Sequence, residues 1–299
     1  MRTFGYYASI YLKIKESELK HSSLEKYQTI LDNAILPIFE KYQIDHIKPL
    51  DIRLWISSYN HLSPKTRRDY LTVLRGVFQE AFYDEVLDHN PVDKIRLPKL
   101  IQSDIQPFTP DEVNMILDAA TGYKKNLYAF AFYTGMRTGE IIALRWDDID
   151  LQKRLISVKR TRRKGIESSP KTLSSIRNIP IFDQLLPYIY NQFEITGKFK
   201  NYVFCNPNGE PFRDANSIST RSWPNHLKKL GIPYRRLYNA RHTFATFLLS
   251  KTDLSKNQIS RILGHTTNQM LFQHYAKFID GEMDSIDKSI SLYDIEKCS

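Results

Sequence analysis

The sequence predicts a mainly α-helical protein of two domains: an N-terminal helical bundle, then a domain that sets a small antiparallel β-sheet among its helices. Three observations lead there. Apolar residues in the first ninety or so positions recur at helical spacing. A stretch with several prolines and lysines then interrupts the pattern. Beyond Gly135, short runs of β-branched residues alternate with polar ones before helical spacing resumes.

In the first part, Tyr7, Ile10, Tyr11 and Ile14 mark one helix. Tyr27, Ile30, Leu31, Ala34 and Ile35 mark a second that ends at Pro37. A third spans Leu50 to Tyr59. The fourth follows Ser63-Pro64, where a serine can cap and a proline suits the first turn. It lays Tyr70, Leu71, Leu74, Val77, Phe78 and Ala81 on one face. No glycine-rich loop or catalytic constellation falls here, so the bundle reads as scaffold. The prolines from Asn90-Pro91 to Pro98-Lys99 predict a linker whose cations suit phosphate. The expected boundaries are 1–98 for the bundle, 99–106 for the linker and 107–299 for the second domain.

That domain opens on Thr109-Pro110-Asp111-Glu112, a capping box with proline at the first helical position. A short helix carries Glu140, Ile141 and Leu144. Strands are expected around Trp146–Ile149, Leu155–Arg160 and Ser175–Ile181. Helices return from Asp183, with a turn at Asn206-Pro207-Asn208-Gly209 and a glycine break at Gly264.

The 299 residues carry a net charge of +10, and most of that excess falls after residue 100. From Lys153 to Arg177 there are nine basic residues and one acidic residue, Glu167. Apolar residues interleave with them, which places the charge on ordered strands and favours a polyanionic partner. Cys205 and Cys298 show neither metal-ligand spacing nor a disulfide framework. The N-terminus has no apolar core of signal-peptide length, and no run is long enough to span a membrane. A reduced, cytoplasmic protein is expected. The aromatic residues, Trp146 and Trp223 among them, fall at core spacing and read as packing.

Two arginines stand in a context suited to an anion. Arg137 lies in Thr134-Gly135-Met136-Arg137-Thr138-Gly139-Glu140, where a glycine ends one helix and the arginine starts the next. Arg241 lies in Tyr238-Asn239-Ala240-Arg241-His242, at the start of an amphipathic helix whose backbone N–H groups favour negative charge. A guanidinium meets two phosphate oxygens with its planar fork and keeps its charge. Downstream come Leu263-Gly264-His265 and, ten residues past the histidine, Tyr275. Cleaving a phosphodiester without metal needs cations on the non-bridging oxygens, an in-line nucleophile and an acid for the leaving oxygen.

In this order the motifs resemble the tyrosine recombinase (phage integrase) family, well over residues 105–280 and in kind only over the first hundred. The resemblance implies a helical core-binding (SAM-like) domain and a tyrosine-recombinase catalytic domain. Arg137 and Arg241 would clamp the scissile phosphate, His265 would hydrogen-bond a non-bridging oxygen, and Tyr275 would attack phosphorus and hold the 3′-phosphate. The family's hairpin lysine, which protonates the 5′-oxygen, is placed at Lys171 in Ser169-Pro170-Lys171-Thr172; Lys164 competes for that role. Glu140 would be a buried partner that orients Arg137. One position departs from the pattern. Tyr238 stands where the second arginine box usually has histidine, and a phenol with pKa near ~10 is a poor base at neutral pH. It can still donate to phosphate. The base for Tyr275 is unassigned.

The resemblance further implies a specific recombination site in double-stranded DNA, a homotetramer, accessory DNA-bending or directionality proteins, and neither metal nor cofactor. The expected biology is integration or excision of a prophage or mobile element. A Xer-like chromosome or plasmid resolvase is the alternative, and a DNA-binding paralogue without catalysis is the reading from another class. The acidic segment after Tyr275, with Ile290, Leu292, Tyr293 and Ile295 near its end, is expected to pack on a neighbouring protomer.

Overall fold

The structure, a computed structural model, describes residues 2–98, 105–168, 175–216 and 218–265. The chain divides into two compact units, residues 1–103 and 104–299.

In the first unit α1 (Phe4–Glu18) starts where the Thr3 hydroxyl accepts the Tyr6 N–H at 3.3 Å. It is followed by α2 (His21–Ile30), α3 (Leu36–Phe39), α4 (Pro49–Ser58) and α5 (Pro64–Tyr83). Ser63 caps α5 by accepting the Thr66 N–H at 3.1 Å. The expected apolar faces meet in one core, except that Ile14 near the end of α1 is exposed. Phe4 and Tyr7 of α1 share this core with Leu74, Val77 and Phe78 of α5, and the Phe4 and Phe78 rings meet edge to face at 5.6 Å.

Two expectations need correction. The second helix does not end at Pro37. A π-helical turn, Leu31–Ile35, carries it into α3. Proline has no N–H to give the preceding turn. The widened turn lets the Leu36 N–H reach the Leu31 carbonyl and leaves Pro37 in the first turn of α3, where no donor is needed. The Ala34 carbonyl in this turn accepts the Trp55 indole N–H at 3.0 Å. Nor is the stretch from Asn90 a free linker. Pro91–Lys94 forms a 3₁₀ turn capped by Asn90, with Pro91 and Val92 buried, and the Asn90 amide donates to the Arg75 carbonyl at 3.0 Å.

In the second unit α6 (Pro110–Ala119) has the capping box its sequence announces: Glu112 N–H to Thr109 hydroxyl at 3.2 Å, and Thr109 N–H to Glu112 carboxylate at 2.9 Å. α7 (Gly122–Thr134) is apolar around most of its girth and runs through the core. α8 (Thr138–Ile141) leads into the sheet. Trp146–Asp148 forms a 3₁₀ turn rather than the expected strand, because the Asp148 carboxylate accepts the Arg145 N–H at 3.1 Å and curls the chain. Strand β1 is only Ile149–Asp150. β2 (Leu155–Val158) pairs antiparallel with β1 and with β5 (Arg177–Pro180), with Ile156 opposite Ile179. β3 (Thr161–Arg163) and β4 (Ile166–Ser168) make a separate hairpin that turns at Lys164-Gly165. Among the described residues the remaining α-helices are α9 (Leu186–Thr196), α10 (Trp223–Lys229), α11 (Asn239–Lys251) and α12 (Lys256–Leu263). Trp223 is fully buried and its indole donates to the Arg235 carbonyl at 2.7 Å. Cys205 is buried, which pushes its thiol pKa up.

Candidate active site

Part of the basic run is answered by two carboxylates. Lys159 and Arg160 pair with Asp148 at 3.2 and 2.6 Å, and Arg162 pairs with Glu167 at 3.3 Å, as does Arg145 from outside the run at 3.1 Å. These members of the run are structural charge. A different group of cations lies inside the unit.

α7 ends at Gly135, whose φ of +60° reverses the chain. A side chain there would face strain from that φ, and its Cβ would sit 2.5 Å from the Phe244 ring. The reversal delivers Arg137 to the start of α8. Its backbone N–H and its Nη1 both donate to Glu140, each at 2.9 Å. Arg137 keeps 38% of its side chain exposed, whereas Glu140 keeps 2%.

Arg241, in the first turn of α11, is 1% exposed. It donates through Nη1 to the Gly135 carbonyl at 2.8 Å and through Nη2 to the Leu263 carbonyl. Arg177 of β5 is buried beside it and donates through Nε to the Ile262 carbonyl at 2.7 Å. Ile262 and Leu263 are the last residues of α12, whose final carbonyls have no helical partner and form the negative end of the helix dipole. Two consecutive carbonyls thus hold two guanidinium groups. Gly264, with φ +68°, then closes the helix, and the His265 N–H returns to the Ser260 carbonyl at 3.0 Å. This places His265 beside the carbonyls that hold Arg241 and Arg177.

The electrostatics follow from the inventory. Among these described residues three guanidinium groups face one carboxylate. Burial pushes the Arg241 pKa down to about 10 and the Arg137 charge adds to that, while Tyr238 and Glu140 act against it. Arg241 still carries its charge at neutral pH. Burial opposes ionisation of Glu140, but its hydrogen bond to Arg177 and the charges of Arg177 and Arg137 hold it below the usual carboxylate range. The cluster keeps a surplus of positive charge, and an anion between Arg137 and Arg241 would relieve their repulsion. Tyr238 stands at the start of α11, 42% exposed, with its ring edge-on to His242 at 5.1 Å.

Of the residues singled out in the sequence, Arg137, Glu140, Tyr238, Arg241 and His265 thus come together on α8, α11 and the end of α12. Lys164 sits apart from them in sequence at the exposed β3–β4 turn, with φ +51°. Lys171 and Tyr275 lie outside the described residues, as does the segment after Tyr275. Arg177 was missed as a site residue. Its signal was parity: in β5 it shares a face with Ile179, an inward place for a charge.

A sequence profile described as "Phage integrase family" matches residues 106–280, and one for a "Phage integrase, N-terminal SAM-like domain" matches residues 3–60. The chain belongs to the phage integrase family. Every candidate residue from Arg137 to Tyr275 falls within the first match. Among relatives of this family, the prophage integrase IntR of Escherichia coli K12 is 27% identical over 98% of this chain and 79% of its own length. A XerC-like tyrosine recombinase of Caldanaerobacter subterraneus is 29% identical over 79% of this chain and 69% of its own. The fold matches that of the Tn1549 transposon integrase in complex with a circular intermediate DNA, with a TM-score of 0.79 at 20% identity, covering 96% of this chain and all of that one. It also matches a lambda integrase tetramer bound to a Holliday junction, with a TM-score of 0.71 at 19% identity, covering 89% of this chain and 78% of that one.

Proposed function

We propose that this integrase-family protein is a site-specific recombinase that cleaves and rejoins double-stranded DNA through a 3′-phosphotyrosyl bond at Tyr275. The observation that carries the assignment of roles is the approach of Arg137 and Arg241, with a surplus of positive charge, inside the segment shared with the family. In this reading the two guanidinium groups bind the non-bridging oxygens of one phosphate and stabilise the charge of its trigonal-bipyramidal transition state. His265 donates to the same phosphate, and Tyr238 adds a hydroxyl donor from the edge of the site.

The Tyr275 phenol gives up its proton to a base, and its oxygen forms a bond to phosphorus as the bond from phosphorus to the 5′-oxygen breaks. Lys171 gives that oxygen its proton, with Lys164 as the competing donor. The phosphotyrosyl ester keeps the phosphodiester's bond energy, so a free 5′-hydroxyl from the second duplex can reverse the step and join the strands. The tetramer reported for lambda integrase suggests four protomers acting on two duplexes. The prophage relative supports integration or excision of a mobile element; the Xer-like relative supports chromosome or plasmid resolution by the same chemistry. DNA-bending or directionality proteins are proposed as accessory partners.

The test is covalent capture. DNA ends trapped on wild-type protein and sequenced would define the site, and a nicked duplex carrying it would then accumulate adduct. Tyr275→Phe is expected to bind this duplex and form no adduct. Adduct that persists in Tyr275→Phe would refute the nucleophile, and wild type that binds DNA without adduct would favour a non-catalytic binding protein. Lys171→Ala and Lys164→Ala, compared on a substrate with a sulfur leaving atom at the 5′ position, identify the acid: the thiolate needs no proton, so the true acid's variant recovers.

A further inference from the structure

Arg177 lies outside the arginine boxes, yet it touches more of the site than either boxed arginine does. Its Nη1 and Nη2 meet the two Glu140 oxygens at 3.2 and 2.9 Å, a bidentate pair. Its Nε takes the Ile262 carbonyl at 2.7 Å, and Nη1 also reaches the Ser175 carbonyl at 3.0 Å. The side chain is 4% exposed. Glu140 is shared, since the same two oxygens accept the Arg137 side chain and backbone N–H. A carboxylate paired with Arg137 alone would orient it and also cancel its charge. With Arg177 on the other side, the trio keeps a net positive charge and the orientation is retained.

We infer that Arg177 is a positioning residue for the strand-cleavage step: it neutralises Glu140 so that the carboxylate can steer Arg137 without cancelling its charge, and it ties that pair to the end of α12 beside Leu263, which holds Arg241. The inference rests on the recombinase reading for its rate measurement only.

The experiment uses the full chain as wild type, Arg177→Met, Arg177→Lys and the double variant Arg177→Met/Glu140→Gln. The rate of adduct formation is measured in a single turnover on the nicked duplex, at saturating DNA and well below each variant's Tm. Arg177→Met is expected to slow cleavage roughly 100-fold, the scale for losing one transition-state donor, with a much smaller change in DNA Kd. Because Glu140 then loses its stronger partner, cleavage should also acquire a new acid limb in its pH profile, a rise in rate as falling pH protonates the carboxylate. Removing the carboxylate in the double variant should recover at least about tenfold of the rate, or about 1.4 kcal/mol, and abolish the acid limb. Arg177→Lys keeps one cation but cannot span both carboxylate oxygens and the Ile262 carbonyl, so it should lose less rate and show no acid limb. It carries the comparison if Arg177→Met does not fold.

A second readout needs no recombination. Inorganic phosphate, against chloride at matched ionic strength, should raise the Tm of wild type and of the double variant but not of Arg177→Met. A double variant as slow as Arg177→Met, or single variants that cleave at the wild-type rate and differ only in Tm, would overturn the inference. Absence of adduct from wild type would instead sink the recombinase reading and leave the phosphate response to decide the role of Arg177.

Discussion

The two units of this chain bury different things. Among the described residues, the core of the first unit is aliphatic and aromatic, and the one buried polar residue there is Asn90, at the edge, capping a turn. The second unit also has a large apolar core, but it buries Glu140, Asp148, Arg177 and Arg241 within or against it. Burying a charge costs several kcal/mol unless paired, and even paired it seldom stabilises more than a good apolar side chain would. The core of the first unit is organised for stability alone. The second accepts a less favourable interior to hold cations where solvent cannot screen them, and there a guanidinium acts most strongly on an anion.

Arg241→Met should expose that difference most sharply. The change removes an almost fully buried charge whose carbonyl partners are those of Gly135 and Leu263. Desolvation is relieved, while two carbonyls lose their donor at about 1–3 kcal/mol each. These offset, so thermal or urea unfolding should show a stability change within about 2 kcal/mol. In the proposed role of Arg241 as a charged transition-state donor, its loss should slow cleavage roughly 1000-fold or more. A variant that unfolds readily yet cleaves normally at low temperature would make Arg241 a structural arginine and erase the contrast.

Glu140→Gln comes next. It leaves Arg177 facing a neutral amide in a buried site, a change worth about 3 kcal/mol of stability. pH gives it a signature. The folded pKa of Glu140 lies below its ordinary 4.5, so its pairing stabilises the fold fully above that value and is lost as pH falls through the folded pKa. Wild type should therefore lead Glu140→Gln in stability near neutrality, and the gap should close as the solution is acidified below about 4.5. A gap of constant size down to low pH would mean that Glu140 is not ionised in the folded protein.

How much of this could be read from the sequence depends on whether a residue's role is local. The caps at Ser63 and Thr109 were legible because a cap is chemistry within four residues, and the glycine turns at Gly135 and Gly264 were legible for the same reason. The helical faces of α1 and α5 followed from periodicity. The π turn before Pro37 was not, since a proline inside an apolar run looks like an end until the neighbouring carbonyl finds Trp55. The strand expected at Trp146 failed because Asp148 competes locally for the backbone. For the candidate site, the two boxed arginines stand out because their motifs have an order. Arg177 offered only its inward parity in β5: its partners Glu140 and Ile262 lie 37 residues before and 85 after it, and only the fold brings them within reach.

The smallest predicted effect tests the other side of the comparison. Gly76 on α5 faces α1 so closely that a Cβ would stand 2.5 Å from Cζ and 2.7 Å from the hydroxyl of Tyr11. Tyr11 is 2% exposed and stacks at 6.2 Å on Tyr27, so its ring has little room to retreat. Gly76→Ala gains helix propensity of about 1 kcal/mol but overpacks the contact by about 1–3 kcal/mol. The net loss should be up to about 2 kcal/mol, seen as a lower denaturation midpoint with an unchanged m-value. Adduct formation at saturating DNA should stay at the wild-type rate, because no charge of the second unit is touched. If Gly76→Ala instead slowed cleavage while the protein stayed folded, the first unit would be contributing to the chemical step, and the division between a unit built for stability and a unit built to hold charge would fail.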